Sequence, residues 1–97
     1  MKPVIFSVLA ESDLEQIGDY IAQDSPHRAL SFIRQLRVQC QKLEQFPKSH
    51  RRFPELGQTA HIMPYGKYVV LYRVREEYVS IERILHGGRD ILPLIGG

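Results

Sequence analysis

Lys67-Tyr68-Val69-Val70-Leu71-Tyr72-Arg73-Val74-Arg75-Glu76-Glu77-Tyr78-Val79-Ser80-Ile81-Glu82-Arg83-Ile84-Leu85-His86 decides the fold. Two runs rich in β-branched and aromatic residues flank a polar pair, which predicts two antiparallel strands joined at Glu76-Glu77. The turn lacks the glycine or asparagine that favours the tightest hairpins. Strand side chains alternate faces. In the first strand Tyr68, Val70, Tyr72 and Val74 share one face, and Lys67, Val69, Leu71, Arg73 and Arg75 the other. In the second, strict alternation puts Val79, Ile81, Arg83 and Leu85 opposite Tyr78, Ser80, Glu82, Ile84 and His86. Neither strand has a wholly polar face, so the sheet is expected to be contacted on both sides.

Working outward, Thr59–Met63 predicts a preceding strand, with Pro64-Tyr65-Gly66 as its turn. Lys48–Gly57 is a polar loop. Upstream, Ala29, Phe32, Ile33, Leu36, Cys40 and Leu43 form an apolar stripe at helical spacing, with Arg28, Arg34, Arg37 and Lys42 largely off it. Ser25 suits the N-cap of that helix and Pro26 its first position, and Phe46-Pro47 closes it. Leu14, Ile17 and Ile21 mark an earlier helix, flanked by Tyr20. Ser12-Asp13-Leu14-Glu15 has the spacing of a capping box at its start, and Asp24-Ser25 ends it. Pro3–Leu9 reads as a first strand. The prediction is α+β over one domain, residues 1–97. An N-terminal strand and an antiparallel helical hairpin precede a three-stranded antiparallel meander, and the strands form one four-stranded sheet.

Bulk properties narrow the function classes. The 97 residues support one core, and 43% hydrophobic with 25% charged residues is ordinary globular composition. The single cysteine, Cys40, excludes an internal disulfide framework and a cysteine-built zinc site, and its place on the apolar stripe makes it core. No acid–histidine spacing resembles a metal site and no glycine-rich phosphate loop is present, so neither metal nor cofactor is expected. The N-terminus turns acidic too early for a signal peptide and no run approaches a membrane span, which predicts a cytoplasmic protein without membrane contact. The net charge of +2 hides an asymmetry: residues 1–24 carry −4 and the remainder +6. A basic face toward an acidic partner or nucleic acid is one reading, and a solvated surface the other.

Chemistry is expected around the last strand. Arg73, Arg83, His86 and Arg89 converge there if the hairpin pairs as drawn, and a histidine among arginines suits general-acid catalysis beside phosphate-stabilising cations. The structural alternative is an ion pair of Arg83 with Glu82 or Asp90, and a His86 that satisfies a backbone carbonyl. His61 and His50 are further candidates. Lys48, His50, Arg51 and Arg52 form the densest basic cluster, suited to phosphate contacts, with Phe53 placed to stack on a base.

Several segments, taken in order, resemble the RelE/ParE toxin superfamily of bacterial type II toxin–antitoxin pairs. They are Ala10-Glu11-Ser12-Asp13-Leu14-Glu15-Gln16-Ile17, Phe46-Pro47 with the basic loop and Pro54-Glu55-Leu56, and Tyr68–Val74. The closing Ile84-Leu85-His86-Gly87-Gly88-Arg89-Asp90 looks most like the ParE branch. The resemblance implies a toxin in a hetero-oligomer with a cognate antitoxin, whose C-terminal segment wraps over the helical hairpin and sheet. Leu14, Ile17, Tyr20, Ile33, Leu36 and Tyr72 are the antitoxin-binding candidates it implies. The ParE branch implies DNA gyrase as target and no catalytic centre, with Arg51, Arg52, Arg73, Arg83, His86 and Arg89 as target-binding residues. The RelE branch implies a metal-free, ribosome-dependent messenger-RNA endoribonuclease. Ala60-His61-Ile62-Met63-Pro64 resembles a histidine-using ribonuclease, although Tyr65 replaces the acid after the proline. The catalytic set would then be His61, Arg73, Arg83 and His86. A relative that has lost toxicity but still binds antitoxin is the third reading.

Overall fold

The computed structural model describes residues 1–88; Arg89, Asp90 and the tail 91–97 lie outside them. Strand β1 (Val4–Phe6) leads into helices α1 (Val8–Ala22) and α2 (Pro26–Gln41), then strands β2 (Ala60–Tyr65), β3 (Tyr68–Val74) and β4 (Val79–His86). The sheet order is β1-β4-β3-β2, with β1 parallel to β4 and the remaining pairs antiparallel. The expected architecture stands, as one mixed four-stranded sheet.

Local chemistry moves two boundaries. Helix α1 starts at Val8 rather than at Ser12, which shortens the first strand to three residues. Ser7 is the cap: its backbone is extended, and its Oγ accepts from the Ala10 amide at 2.9 Å while donating to the Glu82 carbonyl at 2.8 Å. Ser12 and Glu15 therefore lie inside the helix, where the same three-residue spacing only makes them neighbours on one face. Ser12 instead accepts from the Gln16 side chain at 3.3 Å. Ser25 caps α2 as expected, accepting from the Arg28 amide, with Pro26 at the first position.

The second shift is at Pro64, which lies within β2 rather than in a turn. As the outer strand, β2 tolerates a residue without an amide hydrogen. The turn is Gly66-Lys67, and only Gly66 has a positive φ, +58°, the pattern of a type II′ hairpin. The Phe32 ring would lie 3.6 Å from a Cβ added at Gly66, an ordinary contact, so the positive φ rather than space favours glycine there.

Strict alternation along β4 fails. Tyr72 pairs with Ile81 but Leu71 pairs with Arg83, so Glu82 is an extra residue and β4 carries a bulge. Beyond it the faces exchange. Val79 and Ile81 join Ile84 in the core beneath the helices, while Leu85 turns to the opposite side.

Both faces are covered, as their lack of a polar side required. Leu14, Leu36, Cys40, Leu43, Val70, Tyr72, Ile81 and Ile84 are buried between sheet and helices. On the other face Ile62, Leu71 and Leu85 form a smaller cluster under Phe53 and Leu56, brought there by the loop before β2. That loop holds a single 3-10 turn at Pro54–Leu56, and its Arg52 bridges antiparallel to His61.

Candidate functional site

The bulge in β4 creates the most heavily bonded polar feature. Asp13 on α1 is only 8% exposed. Its carboxylate accepts from Arg83 Nε at 2.8 Å, from Arg83 Nη2 at 3.0 Å and from the Ile84 amide at 2.9 Å. Hydrogen bonding to that carboxylate raises the Arg83 pKa. Among the described residues Arg83 thus pairs with Asp13 rather than with Glu82, and Asp90 lies outside them. Arg83 fastens the helix layer to the strand at the point where the ladder breaks, and a bidentate carboxylate pair suits that role.

Arg73 faces the other end of the strand. Its Nη1 donates to the Leu56 carbonyl at 2.7 Å and lies 3.4 Å from Thr59 Oγ1, while Nε sits 3.8 Å from Glu82. Arg75 shares that carboxylate at 3.9 Å, and Ser80 Oγ donates to it as well. Glu82, the bulged residue, is therefore the hub of this second polar group.

The expected convergence forms only in part among the described residues: Arg83 and His86 line one cleft, Arg73 lies away from it, and Arg89 is outside the described residues. Arg73 pairs with Ser80 and Tyr68 with His86, so Arg73 and His86 are separated by five residues along β3, roughly 17 Å of strand. The physical cause is antiparallel register: residues early in one strand meet residues late in the other. His86 is exposed. Its ring meets Tyr68 edge-on at 5.6 Å, and its Nδ1 accepts from the Gly88 amide rather than donating to a carbonyl. His61 is buried, stacked on Tyr72 at 5.2 Å, with Nδ1 3.2 Å from the Thr59 carbonyl. Burial pushes the Tyr72 phenol up to about 12, against a weak pull from the His50 backbone, and its hydroxyl has no hydrogen-bond partner among the described residues. Cys40 is fully buried and its thiol is likewise pushed to about 12, which removes it as a nucleophile.

Of the concave features on the helix side, two bear on the candidate residues. A cleft of about 520 Å³ between α1 and the end of β4 is lined by Asp13, Gln16, Tyr20, Tyr68, Arg83 and His86 among others. Burial, and secondarily Tyr20, raises the Tyr68 pKa there. The larger feature, about 1030 Å³, runs along the outer side of the helical hairpin. Val8, Gly18, Ala22, Leu30 and Ile33 give it an apolar floor, and Glu11, Arg34 and Arg37 lie on its lining too. Val8 is 87% and Leu30 67% exposed. Arg37 clamps Glu11 with bonds of 2.6 and 3.1 Å and lies over the Phe6 ring, joining α2 to α1 and β1.

Residues 4–91 match the family of ParE toxins of type II toxin–antitoxin systems, described with the name parDE. This chain belongs to that family. The ParE-family chain is 32% identical over 89 residues to a protein named Toxin RelE2 from Caulobacter vibrioides (strain ATCC 19089 / CIP 103742 / CB 15). That alignment covers 92% of the chain and 99% of the relative. A solved chain titled as the chromosomal ParDE TA system from P. aeruginosa shares the fold, with a TM-score of 0.74 and 21% identity. It covers 89% of this chain and 96% of that one. The protein is thus a type II toxin of the ParE/RelE superfamily, and the family implies a cognate antitoxin as partner.

Within this toxin the six antitoxin candidates separate by burial. Leu14, Ile17, Leu36 and Tyr72 are core and offer almost no surface. Ile33 is half-buried in the hairpin groove, and Tyr20, 70% exposed, borders the cleft beside β4. Sequence reasoning had only the apolar stripe, which cannot tell its inward from its outward edge. Arg51 and Arg52 are exposed in the loop, and Arg89 lies outside the described residues. Asp13 and Glu82 were missed as organising carboxylates. Their signal, an acid within an apolar face and an acid at a broken alternation, was present but local. Among the described residues no helix is long and apolar enough to cross a membrane.

Proposed function

We propose that this toxin acts on DNA gyrase and is held inactive by an antitoxin whose amphipathic segment lies in the groove outside the α1–α2 hairpin. The gyrase reading is supported by the dispersal of the ribonuclease candidates. Arg83 is engaged by Asp13, Arg73 by Glu82 and the loop, and His61 and His86 stand at different ends of the sheet. General acid–base cleavage needs its groups within hydrogen-bond reach of one phosphate, which these positions do not provide together. The antitoxin reading is supported by the groove itself: exposed Val8 and Leu30 flank small residues that let a partner helix approach closely. An antitoxin side chain reaching into it would meet Ile33.

A supercoiling assay with purified gyrase tests the target. Inhibition that is relieved by antitoxin is expected, and undiminished supercoiling at excess toxin overturns the reading. The name Toxin RelE2 on a relative of 32% identity keeps messenger-RNA cleavage as the second reading. Transcript cleavage upon induction, abolished by His86→Ala in a folded protein, would favour it instead.

A further inference from the structure

The loop before β2 folds back along the sheet edge and closes a small cationic pocket unrelated to the hairpin groove. Phe53 donates its amide to the Ala60 carbonyl at 2.8 Å, and Ile62 donates to the Arg51 carbonyl at 2.9 Å. These two bonds bring the basic loop against His61. The resulting cavity, about 240 Å³, is lined by Lys48, Arg52, Gln58, Thr59, His61 and Val74. Two cations, an imidazole, an amide and a hydroxyl line it, and among the described residues no carboxylate does.

Most arginines of the fold are compensated. Among the described residues Arg28, Arg37, Arg73, Arg75 and Arg83 each have a carboxylate within 4 Å. Arg52 has none. It donates to the Gln58 carbonyl at 2.7 Å, which orients the guanidinium while leaving its charge unbalanced. His61 is 4% exposed, and its Nδ1 faces the Thr59 carbonyl, so Nε2 is the ring's remaining polar atom. Thr59 Oγ1 in turn lies 3.4 Å from Arg73, a third cation one hydrogen bond away. Like charges held over one concavity repel, and a multiply charged oxyanion would offset that cost with several charge-assisted bonds at once. The volume falls below the roughly 300–1,000 Å³ of sites for whole small-molecule ligands, and suits a single phosphate group better than a nucleotide.

We propose that Lys48, Arg52, Thr59 and His61 form a binding site for a phosphate-type oxyanion, either a phosphomonoester or one phosphodiester of a nucleic-acid backbone. The site shares Arg52 with the target-binding candidates and His61 with the ribonuclease candidates, but phosphate binding is read without gyrase, antitoxin or transcript, so failure of those readings leaves it untouched.

The test is a two-dimensional NMR titration of the full chain, at constant ionic strength, with inorganic phosphate and separately with a dinucleoside monophosphate. Saturable shifts at the Gln58, Thr59 and His61 amides are expected. Saturation by phosphate alone would assign a monoester, and saturation by the dinucleoside a backbone phosphodiester. Arg52→Gln and Lys48→Gln should each weaken binding about tenfold, the equivalent of one charge-assisted bond. Arg51→Gln removes the same charge from the same loop outside the pocket, and should leave the affinity within about twofold. Lys48→Gln guards against an Arg52 variant that merely loosens the loop. No saturable shift with either probe overturns the site, as does equal weakening by Arg51→Gln, which would mean unspecific attraction to a basic loop.

Discussion

The two faces of the sheet are covered by different means. Under α1 and α2 a continuous core runs from Leu14 through Leu36 and Tyr72 to Ile84, and it is closed at the bulge by the Asp13–Arg83 pair. On the opposite face three buried residues, Ile62, Leu71 and Leu85, lie under a loop contributing Phe53 and Leu56. The helices satisfy their own backbone groups and can bury a wide apolar stripe. A loop must spend backbone bonds on the strand edge and brings few side chains inward. Stability should therefore concentrate on the helix face, while the loop face should open locally at lower cost.

The largest effect should come from the helix face itself. Leu36→Ala, at a position with no exposure, is expected to cost about 3 kcal/mol in chemical denaturation, within the usual range for a buried leucine. A loss no larger than that of a loop-face variant would erase the contrast. Next is the latch: Asp13→Ala takes two bonds from Arg83 and leaves the Ile84 amide without its acceptor, for an expected loss of about 2–3 kcal/mol. Asp13→Asn, which keeps an acceptor, should lose less, and equal losses would show that packing rather than bonding matters there.

Phe53→Ala on the loop face should cost about 1 kcal/mol, because the ring is only partly buried. Its sharper signature is hydrogen exchange: the Ile62 amide, bonded to Arg51, should exchange faster while β3–β4 amides keep their protection. Uniform acceleration across the sheet would mean that the loop is integral to global stability. The smallest effect is electrostatic. The side-chain hydrogen bond from Arg37 holds the Glu11 carboxyl below the usual carboxylate value. A carboxyl depressed in the folded state stabilises fully above its unfolded pKa, and loses that contribution as pH falls through the lower folded value. Both side chains are substantially exposed, so the gain is at most about 0.5 kcal/mol after screening. Glu11→Gln should therefore flatten the acid limb of the stability curve slightly, and leave stability at neutral pH within that margin.

Long periodic stretches were legible because their signal is repeated. The stripe Ala29 to Leu43 and the alternation Tyr68 to Val74 each give several residues that agree, and Ser25-Pro26 adds a cap whose chemistry is local. The candidate site was far less legible. Placing Arg73, Arg83 and His86 together required the register, and one extra residue at Glu82 moves Ile84 and Leu85 to faces opposite to those that strict alternation gives. The cap was misplaced for a related reason. Ser7 and Ser12 both precede apolar residues, and only the Glu82 carbonyl, 75 residues away, gives Ser7 its second bond.

The sequence by itself determined the element types, the core stripe, the buried Cys40 and the membership of a toxin family, because each rests on short-range chemistry repeated along the chain. Tertiary structure alone decided that Asp13 captures Arg83, that Glu82 gathers Arg73 and Arg75, and that the basic loop closes over His61. Those outcomes join residues far apart in the chain through a bulge and an edge pairing, and nothing in local propensity fixes either.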